Sequence, residues 1–104
     1  MPEFVFAYHG GTIPETQEAG EKAMAAWGQW FDDMGEAVVN GGNPVGQSMT
    51  VTAAGVTQDG GSNPISGYTI VKADTPEAAC EMAKGCPMVA DGSGSVEVAP
   101  VIEM

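Results

Sequence analysis

An α+β domain built on an antiparallel sheet is the fold class this sequence predicts, and three observations predict it. Strand signals at Phe4–Tyr8, Tyr68–Ala73 and Val96–Ile102 are interleaved with two capped, apolar-striped helix signals. The elements run β, α, β, β, α, β along the chain. All 104 residues form one domain, 1–104, because no repeat, linker or low-complexity tract divides them.

Residues 3–9, EFVFAYH, put Phe4, Phe6 and Tyr8 on one face and Val5, Ala7 and His9 on the other. Both faces are apolar or aromatic, which predicts a central strand buried on two sides. The segment GGTIPE breaks it. Thr12 with Glu15 three residues later has the form of a capping box, and Pro14 fits a first turn, so a helix is expected to start near Ile13 or Pro14. Ala19, Ala23, Trp27, Trp30 and Met34 then recur at steps of three or four, widened by Met24 and Phe31, and the stripe stops near Gly35. A short strand is expected over 36–39, then a break at NGGNP, then a second strand over about 48–57 whose register the glycines obscure.

QDGGSNP reads as a turn. In SGYTIVKA the residues Tyr68, Ile70 and Lys72 alternate with Thr69, Val71 and Ala73, a clear strand. Asp74 with Glu77 makes a second capping box, or Thr75 is the cap with Pro76 in the first turn; both open a helix at the same place, and Gly85 and Pro87 close it. The last strand, SVEVAPVIE, alternates Val96, Val98, Pro100 and Ile102 with Glu97, Ala99, Val101 and Glu103. Pro100 donates no ladder bond, so that strand should lie at an edge or bend there.

A β-α-β-β-α-β order is the ferredoxin-like plan, one antiparallel sheet with both helices on one face. The other face then needs cover. In so short a chain that cover is expected to be a second copy, which predicts a homodimer through the sheet face.

Three Lys, no Arg and fourteen Asp plus Glu give a net charge of −11. Such a surface repels a phosphate backbone and has no guanidinium to clamp one, so neither nucleic acid nor an anionic membrane is an expected partner. Glu15, Glu18, Glu21, Asp32, Asp33 and Glu36 are read as a solvated helix face. MPEFVFAYHGG has no basic segment ahead of its short apolar run, and the expected location is cytoplasmic. Cys80 and Cys86 are spaced neither as a redox pair nor as zinc ligands; Cys80, among alanines, is expected to be buried and Cys86 more exposed.

The stretches MAAWGQWFDDMG and GYTIVKADTPEAACEMAKGCPMVADGSGSVEVAPVIEM resemble the YCII-related proteins, the group that includes the DGPF-domain proteins. The resemblance implies a ferredoxin-like subunit that pairs into a dimeric αβ-barrel. Two departures stand out. Where many relatives carry a DGPF motif, this chain reads QDGGSNPISG, keeping Asp59 and Gly60 without Pro-Phe. Some relatives also have a His–Asp pair proposed as catalytic, with the His on the first helix; here that helix has Trp27 and Trp30 and no His. The catalytic residues are therefore unassigned.

His9, the only histidine, stands where a strand meets a Gly-Gly turn, a common place for ligand contacts. With no second His and no carboxylate cluster, neither a metal site nor a cofactor is expected, and the glycine-rich turns match no phosphate-loop fingerprint. Trp27 and Trp30 could roof an apolar pocket between the first helix and the sheet. The expected site is a small-molecule pocket there, with His9, Tyr8, Trp27, Trp30 and Glu97 as its ligand-binding residues. The competing expectation is a non-catalytic dimeric module for regulation or protein contact.

Overall fold

The structure, a computed structural model, describes residues 1–104. In chain order the elements are β1 (Glu3–Gly10), α1 (Gln17–Met34), a 3₁₀ turn (Gly35–Ala37), β2 (Val38–Asn40), β3 (Thr50–Thr52), β4 (Gly55–Thr57), β5 (Ile65–Lys72), α2 (Pro76–Ala83), α3 (Pro87–Ala90) and β6 (Gly94–Pro100). β2, β5, β1 and β6 form one sheet in that order, every neighbouring pair antiparallel. This mixed α+β arrangement broadly fits a ferredoxin-like fold. Pro100 ends β6, and β6 lies at the sheet edge, where a missing N–H costs no ladder bond.

The molecule is a slab of 43 × 43 × 20 Å, thin enough for one sheet and one helix layer. Phe4, Phe6, Tyr8, Thr69 and Val71 are buried on the helix side with Trp30, Ala79, Ala83, Cys86 and Met88. β1 is therefore central in the sheet but buried on one face only. On its other face Val5 and Ala7 are half-buried and His9 is buried.

Local chemistry explains where the elements start. α1 begins at Gln17 and not near Ile13: Thr16 is its cap, accepting at Oγ1 from the Ala19 N–H at 3.0 Å. Pro14 disfavours helical geometry at the residue before it, so Ile13 stays outside the helix and 90 % exposed. The second helix resolves its two possible caps in favour of Thr75, whose Oγ1 accepts from the Ala78 N–H at 3.1 Å with Pro76 in the first turn.

Two expectations about the middle of the chain change. The strand expected over 36–39 follows a 3₁₀ turn and occupies Val38–Asn40, because Gly35 ends α1 with φ +54°. The strand expected over 48–57 is a separate hairpin: β3 pairs with β4 through Thr50–Thr57, Val51–Val56 and Thr52–Gly55, away from the main sheet. Val51 and Val56 on this arm are 75 % and 59 % exposed.

The cysteines exchange their expected places: Cys80 is exposed and Cys86 fully buried. Ala79 and Ala83, four apart, form the inward stripe of α2, so Cys80 falls one step outside it. Burial pushes the Cys86 thiol pKa up, which keeps it protonated and unreactive.

Candidate functional site

The strand register decides which candidate residues meet. Along β1, Tyr8 lies on the helix side and His9 on the open side. Trp30 stacks on Phe6 with ring centroids 6.1 Å apart and planes 9° apart, while Trp27 meets Tyr8 edge-on at 5.1 Å and 88°. Trp27 and Trp30 also meet edge-on, at 5.5 Å. The Trp30 indole N–H donates to the Met82 carbonyl at 2.9 Å, and the Tyr8 hydroxyl bonds Thr69 Oγ1 at 2.7 Å. The space beneath the first helix, expected to hold a pocket, is thus filled by aromatic packing. Tyr8, Trp27 and Trp30 belong to this core or its margin, and its burial pushes the Tyr8 pKa up to about 12.

His9 and Glu97, 88 residues apart in sequence, come together on the open face. Ser95 and Glu97 pair with His9 and Ala7 across β6, so both functional side chains project from the same side of neighbouring strands. His9 Nε2 lies 2.9 Å from Glu97 Oε1. Its Nδ1 faces two backbone carbonyls, Asn63 at 3.0 Å and Pro64 at 3.2 Å. Every partner of the ring is an acceptor, and only a doubly protonated imidazolium can donate to both sides at once. Protonation of His9 makes its contact with Glu97 an ion pair.

Desolvation of the His9 side chain, 11 % exposed, works against that charge. The bond to Glu97 and those to the two carbonyls outweigh it, and the His9 pKa rises above the usual histidine value. Glu97 is 69 % exposed, so its second oxygen is open to a ligand or to solvent. The histidine orients the carboxylate, and the carboxylate presents the free acceptor.

A cleft of about 400 Å³ opens at the end of β1, between the segments that lead into β3 and β5, lined by Gly10, Gln47, Ser48, Asn63 and Ser66 among others; neither His9 nor Glu97 lines it. A smaller apolar hollow of about 220 Å³ lies between α2 and β6, beside Cys80, Lys84 and Val96. Trp27 and Trp30 line neither. No three His, Cys, Asp or Glu side chains gather as metal ligands would. No helix is long and apolar enough to cross a membrane.

The raised His9 pKa makes stability pH-dependent. Stability from this pair is fully present below the unfolded histidine value, about 6.5, and is lost as pH rises through the folded value. The melting temperature of the wild type is expected to fall from pH 6 towards alkaline pH relative to His9→Gln, which lacks this titration. Parallel melting curves of the two proteins, with an NMR titration of the His9 ring, check it; a constant difference between them would refute the charged pair.

The YCII-related domain model matches residues 4–104. The chain belongs to the YCII-related family. Comparison with curated proteins gives no match. Among solved structures, the 5-chloro-2-hydroxyhydroquinone dehydrochlorinase of Burkholderia phenoliruptrix, in complex with 2,5-dihydroxybenzoquinone, superposes with a TM-score of 0.60. The two share 12 % identity, and the alignment covers 100 % of this chain and 96 % of that one. At that identity the likeness is one of fold. The sequence of this YCII-family chain did single out His9 and Glu97 separately; their pairing depends on the β1–β6 register, and the carbonyls that complete the site come from the loop before β5.

Proposed function

We propose that this YCII-family protein binds a small, largely apolar metabolite on the open face of its sheet, and that a second copy closes over that face to form a dimeric αβ-barrel. The observation that carries the proposal is the His9–Glu97 ion pair. The His9 ring is mostly buried, and with Nδ1 held on the Asn63 and Pro64 carbonyls its Nε2 meets one oxygen of Glu97, a side chain left 69 % exposed. The surrounding surface of Val5, Ala7 and Ile70 is apolar and half-buried, as suits a ligand with few polar groups. Glu97 would accept from a hydroxyl or amine of that ligand, and the −11 net charge disfavours an anionic one. The ligand in the dehydrochlorinase structure is likewise a small oxygenated ring.

The dimer is supported by the half-buried apolar centre of that sheet face, Val5, Ala7 and Ile70, in a slab only 20 Å thick. A species of twice the chain mass is expected in sedimentation at micromolar concentration. Ile70→Lys, which puts a charge in the middle of that face, should convert it to monomer with the helices intact by circular dichroism. A wild-type monomer under the same conditions would sink the dimer. Two free thiols, one of them exposed, are in keeping with a reducing cytoplasm.

For ligand binding the test is Glu97→Gln, expected to weaken any ligand found on this face by roughly tenfold or more through loss of a charged acceptor. Equal affinity of wild type and variant would remove Glu97 from the site. A second reading, a non-catalytic module acting through protein contact, is favoured by a specific observation: neither nitrogen of His9 is free to take a proton from a substrate. It is distinguished by stable pull-down of a protein partner that does not depend on Glu97.

A further inference from the structure

Resting on the ligand-binding reading above, the geometry points to a ligand of defined shape: we infer that the open face takes a single flat ring carrying a hydrogen-bond donor, laid over Ala7 between Tyr68 and Glu97. Ala7 pairs with Tyr68 on one side and with Glu97 on the other, so the three stand in one row across β5, β1 and β6. The next row is Ile70, Val5 and Ala99. At a strand spacing of ~4.8 Å the outer two residues of a row are roughly 10 Å apart. The middle of the first row is a methyl group. Two large side chains therefore flank a dip whose floor is the Ala7 methyl, bounded along β1 by the larger Val5 and His9.

That width admits one six-membered ring and excludes a fused pair lying crosswise. Each wall has a different chemistry. Tyr68, half-buried, offers an aromatic face, held where the backbone of Gly42 runs close to its ring; a Cβ there would lie 3.0 Å from Tyr68 Cδ2. Glu97 offers the carboxylate oxygen that His9 does not use. A flat ring gains dispersion from the tyrosine and the alanine floor, and its hydroxyl or ring N–H donates to Glu97. Ala7 sets the size limit, and Tyr68 and Glu97 set the chemistry.

The test uses three probes on the intact protein, followed through backbone amide NMR signals. Resorcinol has a flat ring and donors, cyclohexane-1,3-diol has donors without a flat ring, and 1,3-dimethoxybenzene has the ring without donors. Resorcinol is expected to shift Ala7, Tyr68 and Glu97 saturably, and the other two to bind about tenfold more weakly or not at all. Ala7→Val, which suits a strand and fills the dip, should weaken resorcinol by at least about tenfold while leaving the fold unchanged. If cyclohexane-1,3-diol binds as well as resorcinol, or Ala7→Val has no effect on affinity, the flat-ring assignment is overturned while Glu97 keeps its place as a ligand acceptor. If no probe moves the Glu97 or His9 signals, the ring assignment and the open-face binding site fall together.

Discussion

Trp30→Ala is expected to lower unfolding free energy by about 3–5 kcal/mol, enough to leave a domain of ordinary stability barely folded. The indole is 5 % exposed and is the hub of the helix-side core: it stacks on Phe6 and meets Tyr8, Trp27 and Phe31 within about 6 Å. Loss of packing dominates the cost. The Met82 carbonyl that accepts the indole N–H also accepts from the Gly85 N–H at 3.1 Å, so removing the indole does not orphan it. Trp27 is half-buried at the margin of the same cluster, and Trp27→Ala should cost distinctly less. Denaturant unfolding read by circular dichroism separates the two. Equal costs would mean that the core is not centred on Trp30.

How much of this was legible in the sequence follows from what each signal depends on. The alternation in β1 and β5 is local, and it identified both strands and grouped Phe4 with Phe6 and Thr69 with Val71, while burial of that one face and not of both came from the fold. Helix starts were less secure. Thr12 and Glu15 have capping-box spacing, but the backbone restriction imposed by Pro14 moves the cap to Thr16, a competition between two local rules that spacing alone does not settle. Helical phase explains the exchange of Cys80 and Cys86: alanines flank Cys80, yet only Ala79 and Ala83 face inward.

The site was legible in its parts and not in its assembly. Tyr8 and His9 are adjacent in sequence, and on a strand adjacency means opposite faces, which separates the aromatic cluster from the polar pair. An aromatic helix stripe can roof a pocket or fill a core, and the volume of the facing side chains decides between them; Phe6 stacked on Trp30 fills it. The His9–Glu97 contact spans 88 positions and depends on one strand register. The carbonyls of Asn63 and Pro64 carry no side-chain signal at all, yet they meet His9 Nδ1 and help raise its pKa.

Gly42→Ala is expected to cost about 2–4 kcal/mol and to loosen the arm from the sheet. Gly42 has φ +70°, a region that disfavours any residue with a Cβ. It also lies against the strand: a Cβ built there would sit 1.7 Å from the Tyr68 carbonyl oxygen and 2.7 Å from its carbon. Both atoms are backbone of β5, between β2 and β1, so neither can swing aside as a side chain would. The segment carrying Gly42 must lift instead. That movement strains the Tyr68 N–H bond to the Asn43 carbonyl at 3.2 Å, the Val45 N–H bond to the Ser66 carbonyl at 3.0 Å, and the bond from Thr69 Oγ1 to the Gly41 carbonyl at 3.0 Å. Gly61 is the control, because it has φ +85° but nothing within 4 Å of the point an added methyl would occupy. Gly61→Ala should therefore cost only the positive φ, about 1–2 kcal/mol. Faster hydrogen exchange at the Tyr68 and Val45 amides in Gly42→Ala, and not in Gly61→Ala, is the expected signature. Similar stabilities and exchange rates in the two variants would show that the close approach to Tyr68 does not hold the arm in place.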